Sequence, residues 1–107
     1  MAITVKVLAD GQLANAKATL YTVPGATVAY IKFLSVHNVS GGSENVEIFV
    51  NTSGTSRKIA YATLAANEGA RVIDKDETLI LDAGDLLEGR TTNATSVDYV
   101  ITGAEEA

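Results

Sequence analysis

The chain has 107 residues, which fits one domain, and no cysteine, which excludes disulfide staples and thiolate chemistry. Hydrophobic residues make up 47% and charged residues 20%, a balance that excludes a disordered tail. The formal net charge of -5, with no basic patch, argues against nucleic acid as a partner.

The first stretch, "ITVKV", sets Ile3, Val5 and Val7 against Thr4 and Lys6, the period of a strand. Residues 1–17 read as an N-terminal arm or edge strand, with "QLANAKATL" as a weak helical alternative. Ala18–Val23 and Thr27–Asn38 are rich in Thr, Val, Ile, Tyr and Phe, which fit a pleated strand. Between them stands the only proline, in Pro24-Gly25. This pair ends any helix and suits the centre of a type II turn, with the glycine at positive φ. In the second strand Leu34, Val36 and Asn38 are in phase, whereas Ile31 and Phe33 are in the opposite phase. Either both faces are covered, or a bulge near Phe33-Leu34 shifts the phase.

"NVSGGSEN" is a turn cluster. "VEIFV" then places Val46, Ile48 and Val50 on one face and Glu47 and Phe49 on the other. "NTSGTS" turns again, and "RKIAYATL" is a strand with Ile59 and Tyr61 in phase. "YATLAANEGA" is the one other helical possibility; as a turn, it would use Gly69 at positive φ. "RVI" and "TLILD" are strands around "DKDE", and "DAGD" is a tight turn before "LLEG". After the loop "RTTNAT", "SVDYVITG" sets Val97, Tyr99 and Ile101 against Asp98, Val100 and Thr102. The sum is eight or nine short strands with a turn signal about every ten residues, which predicts an all-β, antiparallel sandwich or barrel as a single domain over residues 1–107.

Charge is uneven along the chain. Residues 1–73 hold six basic and four acidic side chains; residues 74–107 hold nine acidic and two basic ones. The plain reading is a solvated acidic surface. A sharper one is a bipolar molecule whose less acidic side meets an acidic neighbour. No signal-peptide h-region opens the sequence, and no run approaches the roughly 20 apolar residues of a membrane span, so no membrane partner is expected.

Catalytic and metal motifs find little support. A metal site on a β-barrel needs several histidines, and His37 is the only one. "DKDET", Asp74 to Thr78, has the alternating acids of a calcium loop without its glycine and distal glutamate, and reads as a turn. Asp82, Asp85 and Glu88 in "DAGDLLEG" form a potential carboxylate pair but sit where turns use such residues. No nucleophile elbow and no phosphate loop appears. The sequons at Asn38, Asn51 and Asn93 carry no weight without a secretory signal. No cofactor and no enzymatic activity is therefore expected. Phe49, opposite Val46, Ile48 and Val50, would be exposed in a one-sided strand, and exposed large apolar groups mark interfaces. The apolar residues Ile3, Val5 and Val7 either pair within their own sheet or add to a neighbour's edge. These four are the candidate partner-interface residues.

Four segments together suggest a family: "TLYTVPGATVAYIKFLSVHNVSGGSENVEIFVN", "AANEGARVI", "LILDAGDLLEG" and "SVDYVITGAEE". They resemble small all-β virion proteins of tailed bacteriophages, from about Ala18 to Glu106. The family pattern usually reads Pro-Ala-Gly where this chain reads Pro24-Gly25-Ala26. The resemblance implies a jelly-roll β-sandwich without enzymatic activity, located in the virion on the outer capsid surface and made in the host cytoplasm. It implies the major capsid protein as partner, bridged and stabilised by a decoration (cement) protein that is itself a homotrimer or dimer. A tail, baseplate or head–tail junction module is the alternative. A carbohydrate-binding sandwich is a further one, disfavoured because the chain has no tryptophan.

Overall fold

The structure, a computed structural model, describes residues 3–74 and 78–107. Nine strands are found among them: β1 (Ile3–Gln12), β2 (Ala18–Thr22), β3 (Val28–Asn38), β4 (Glu44–Thr52), β5 (Thr55–Leu64), β6 (Gly69–Ile73), β7 (Leu79–Leu81), β8 (Leu86–Thr91) and β9 (Val97–Glu106). No helix occurs among the described residues. "QLANAKATL" runs from the end of β1 through a loop into β2. "YATLAANEGA" is the end of β5, a turn and the start of β6, because Leu64 continues the inward period of β5 and Asn67 then reverses the chain at φ 59°. The positive φ expected at Gly69 thus falls on Asn67. A Cβ at Gly69 would lie 2.8 Å from His37 Nδ1, so a side chain there would displace that exposed imidazole.

All pairings are antiparallel. One sheet has the order β1-β9-β3-β6, with β7 also paired to β3; the other has the order β2-β8-β4-β5. The pairs are nested: β4 with β5, β3 with β6 and β7, β2 with β8, β1 with β9. This is a long hairpin rolled up into two facing sheets, a jelly roll, in which β6 and β7 share one strand position. The core between the sheets is mostly aliphatic; Ile31, Leu34, Ile48, Leu87, Val97 and Ile101 are fully buried. The predicted alternations of β4 and β9 hold, since Val46, Ile48, Val97, Tyr99 and Ile101 all face this core.

Phase changes come from bulges. Ile31 pairs with Gly103 and Phe33 with Thr102, so Lys32 is the extra residue. A second shift lies between Leu34 and Ser35 opposite β6. Ile31 and Leu34 therefore both point inward, and Phe33 is left half-buried on the outer face. In β5 a shift opposite Ile48 and Phe49 makes Ile59 the extra residue. Tyr61, opposite Glu47, faces solvent and Ile59 is 45% exposed, while Leu64 is buried and Ala60 and Ala62 pack against the core.

The Pro24-Gly25 corner also differs from expectation. The positive φ belongs to Ala26, at 56°, and not to Gly25. Gly25 could carry a Cβ without meeting any atom within 4 Å. The "DAGD" turn is as predicted: Gly84 has φ 87°, the Asp85 amide donates to the Asp82 carbonyl at 3.0 Å, and the Asp82 amide donates to Asp85 Oδ2 at 2.9 Å. These two carboxylates shape a turn. The central residues of the "DKDET" segment, 75–77, lie outside the described residues.

One polar residue is wholly internal. Asn38 is fully buried, and its amide donates to the carbonyls of Gly42 at 2.7 Å, Leu64 at 3.2 Å and Ala65 at 3.1 Å. Its Oδ1 accepts from the Ser40 amide and hydroxyl. Every hydrogen-bonding position of the side chain is thereby used, which is what allows it to be buried. It ties the β3–β4 loop to the β5–β6 turn, and it is no glycan acceptor.

Candidate interaction surfaces

The strand order leaves two sides of the sandwich with free edges. β1 ends one sheet and lies beside β2; β5 ends the other sheet and lies beside β6. The β1–β2 side and the β5–β6 side are therefore opposite.

On the first side Ile3, Val5 and Val7 stand together, opposite Glu106, Ala104 and Thr102 of β9. They are 64%, 78% and 53% exposed. The intervening Thr4 and Lys6 are exposed too, so no side chain from Ile3 to Val7 is buried. A register shift between Val7 and Ala9 separates this half of β1 from the second half, which leads into the buried Leu13. Val5 belongs to a row that crosses the outer face of its sheet: Val5 opposite Ala104, Ala104 opposite Tyr30, and Tyr30 opposite Ile80. Ile80 is exposed as well.

Phe49 is elsewhere. It lies on the outer face of the second sheet, opposite Lys58 on one side and Glu88 on the other. It is half-buried rather than exposed, because Lys17 and Lys58 lie over its ring at 5.1 and 5.8 Å from the centroid. Such contacts favour a cation over the ring face. Beside it Glu47 accepts from both Lys58 and Arg90, and the Lys58 bond, then the Arg90 bond, holds its carboxyl below the usual carboxylate range. Glu88, nearly buried, accepts from the Ser56 hydroxyl at 2.7 Å. The four candidate residues therefore form two surfaces: the β1 trio at one side, and the lysine-covered Phe49 on the outer face of the other sheet.

Two further carboxylates lock the frame. Glu105 accepts from Tyr21 at 2.5 Å and pairs with Lys6 at 3.0 Å. The tyrosine bond first, and Lys6 second, pull its carboxyl below its ordinary range. Glu44, buried at the start of β4, accepts from the Asn93 side chain at 2.7 Å, from the Asn93 amide at 2.9 Å and from Thr91 at 3.1 Å. The Asn93 side chain does most to lower its pKa. The loop carrying the Asn93 sequon is fixed by this bond.

His37 shares a shallow depression of about 460 Å³ with Ser35, Asp98 and Arg71 on the outer face of the first sheet. His37 stands opposite Asp98 in the ladder. These are the residue types of a hydrolytic triad, but the Asp98 carboxylate accepts from Gln12 at 3.0 Å, and no bond joins it to His37 among the described residues. A triad needs an aspartate bonded to its histidine. The described residues also contain no group of three or more His, Cys, Asp or Glu able to hold a metal ion.

The exposed Ile59, Tyr61 and Ile80 were not singled out as interface residues by their sequence pattern. Ile59 and Tyr61 read there as an ordinary strand pair. The bulge at Ile59 leaves no mark in residue type.

No family model and no curated protein matches the chain. Among solved structures it is similar to a subunit of Bacillus endospore appendages, described as disulfide-linked pili, with a TM-score of 0.53 at 14% identity over 98% of this chain and 88% of that one. It is also similar to a pentameric capsid protein from metagenomic phage sequences, with a TM-score of 0.39 at 20% identity, covering 91% of this chain and 58% of that one. A third likeness is to infectious bursal disease virus, Gt strain, with a TM-score of 0.34 at 14% identity, covering 97% of this chain and 32% of that one. The pilus subunit supports the two-sheet fold. Its disulfide linkage has no counterpart here, since this chain has no cysteine.

Proposed function

We propose that the protein is a non-enzymatic structural subunit of a bacteriophage virion, which decorates the outer capsid surface and stabilises it by bridging major capsid subunits. One observation carries this reading: the apolar β1 trio and the basic, Phe49-centred face are separate surfaces of one small rigid body. Bridging needs at least two such surfaces. The outer face with Lys17, Lys58, Arg90 and Phe49 is the less acidic side and suits an acidic capsid subunit. The β1 side serves contact between copies, as a homotrimer or dimer. Each contact can be weak when many copies act together.

The likeness of fold to a pilus subunit and the sequence resemblance to phage proteins both support a role in assembly. Mass spectrometry of purified virions tests it, by counting this chain against the major capsid protein. Hundreds of copies in a simple ratio are expected. A few to a few tens would move the protein to the tail, baseplate or head–tail junction, and none would remove it from the virion. Shells lacking the protein should lose resistance to heat and osmotic shock; equal resistance would end the stabilising role.

A further inference from the structure

The two free edges differ in ways that fit each other. Along β1, Ile3, Val5 and Val7 offer an apolar row. On the opposite side Ile59, 45% exposed, stands at a depression of about 240 Å³ that it lines together with Val72, Ile73, Thr78 and Leu79. This depression opens between β5 and the strands β6 and β7 of the facing sheet, and its apolar floor continues into the core.

Charge follows the same division. Beside the β1 row, Asp10 lies on β1 itself and Glu106 stands opposite Ile3, while the one lysine there, Lys6, is already paired with Glu105. On the far side, β5 carries Arg57, while Lys58 is held by Glu47 and Arg71 of β6 is paired with Asp74. An apolar row flanked by Asp10 and Glu106 thus lies across the molecule from an apolar hollow on the strand that carries Arg57. A two-fold contact through β1 would set Asp10 and Glu106 near their own copies and leave both Ile59 hollows uncovered.

We propose that β1 of one copy docks on the β5–β6 side of a second copy, so that the chain assembles head to tail. Ile3, Val5 and Val7 cover the hollow at Ile59, and Asp10 and Glu106 approach Arg57. Such a contact uses different surfaces on the two copies, so it closes as a ring or runs on as a filament. The proposal rests on the self-association in the reading above and is independent of any capsid.

Two variants test it together. Val5→Arg blocks the row and keeps the hollow; Ile59→Arg blocks the hollow and keeps the row. Both sites are exposed, and a thermal melt of each variant checks that it folds. Light scattering after gel filtration should show the unaltered chain as multimers at high concentration and each variant alone as a monomer. An equimolar mixture of the variants should give a species of twice the monomer mass and nothing larger, because one row and one hollow remain. A two-fold contact would not be restored by mixing.

An unaltered chain that stays monomeric overturns the proposal. So does either variant that still assembles alone, or a folded pair whose mixture stays monomeric. Failure here leaves the virion count untouched. A chain that assembles in solution but is missing from virions would overturn the functional reading and not this one.

Discussion

Tyr21 donates a hydrogen bond of 2.5 Å to Glu105, and this contact joins the two sheets at one end of the sandwich. Tyr21 belongs to β2 and Glu105 to β9, so a carboxylate spans the layers where Lys6 of β1 also reaches it. Burial first, and Glu105 second, push the Tyr21 hydroxyl well above its ordinary pKa, so it remains a donor throughout the useful pH range. Replacement by phenylalanine keeps the ring and removes the bond. Tyr21→Phe should cost about 1 kcal/mol in urea unfolding.

The same carboxylate sets a pH dependence. Glu105, Glu44 and Glu47 are all held below their ordinary pKa in the folded protein. A depressed folded pKa means that the unfolded chain binds more protons in the acid range. Stability is then complete above the unfolded value of about 4.3 and is lost as pH falls through the folded values. Melting temperature should be flat from neutral pH to about 5 and fall steadily below about 4.3. Glu105→Gln should lower the neutral plateau and make the acid decline shallower. An unchanged decline would show that Glu105 is not among the groups responsible.

Ala26 holds a left-handed conformation that glycine adopts without strain. Ala26→Gly should stabilise the fold by about 0.5–1 kcal/mol, although glycine's freedom in the unfolded chain offsets part of the gain. Gly25→Ala, one position earlier, should be neutral or slightly stabilising, because no atom lies within 4 Å of the added Cβ. The pair of urea midpoints checks which residue turns the corner.

Gly103 sits where β9 passes β3 most closely. A Cβ there would lie 2.0 Å from the Tyr30 carbonyl oxygen, a main-chain atom that can move only with its strand. Gly103→Ala should cost about 3 kcal/mol or more and loosen the central ladder. Hydrogen exchange of the β3 and β9 amides should accelerate ahead of those in β4 and β5.

Asn38→Ala would leave three carbonyls without their shared donor and open a gap at a fully buried position. A loss of about 2–4 kcal/mol is expected. Asn38→Asp should do no better, since it sets a charge against those same carbonyls.

Much of this architecture could be read from the residues. Period-2 alternation placed β4 and β9 on the right faces, since Val46, Ile48, Val97, Tyr99 and Ile101 keep strict register. Turns were legible where residue type dictates the backbone, as in "DAGD". Three kinds of feature were not. The phase change in Thr27–Asn38 pointed to the β3 bulge near Phe33-Leu34, but the bulge at Ile59 depends on how β4 and β5 slip, which no local pattern encodes. Positive φ at Ala26 and Asn67 falls beside the glycines that would adopt it most readily. The covering of Phe49 depends on lysines from β5 and from the residue just before β2, which meet it only after the roll has formed. Of the four candidate residues, Ile3, Val5 and Val7 lie exposed on an edge strand, as the arm or edge-strand reading of residues 1–17 allows, and Phe49 does not. The Ile59 hollow was hidden because it forms only where β5 meets β6 and β7 in the fold.

The nested pairing has a kinetic meaning. The hairpin of β4 and β5 closes over a turn at Ser53 and Gly54, whereas Ile3 must find Glu106 from the far end of the chain. Each doubling of the closed loop adds only about 0.6 kcal/mol of entropy cost. Zipping outward keeps every step small, since each pair forms on the one before. Long-range pairing of this kind slows folding, and a roll zipped in this order would receive β1 last. Until then the side of β9 that will receive β1 is open. In a crowded solution, the first strand to reach it need not come from the same molecule.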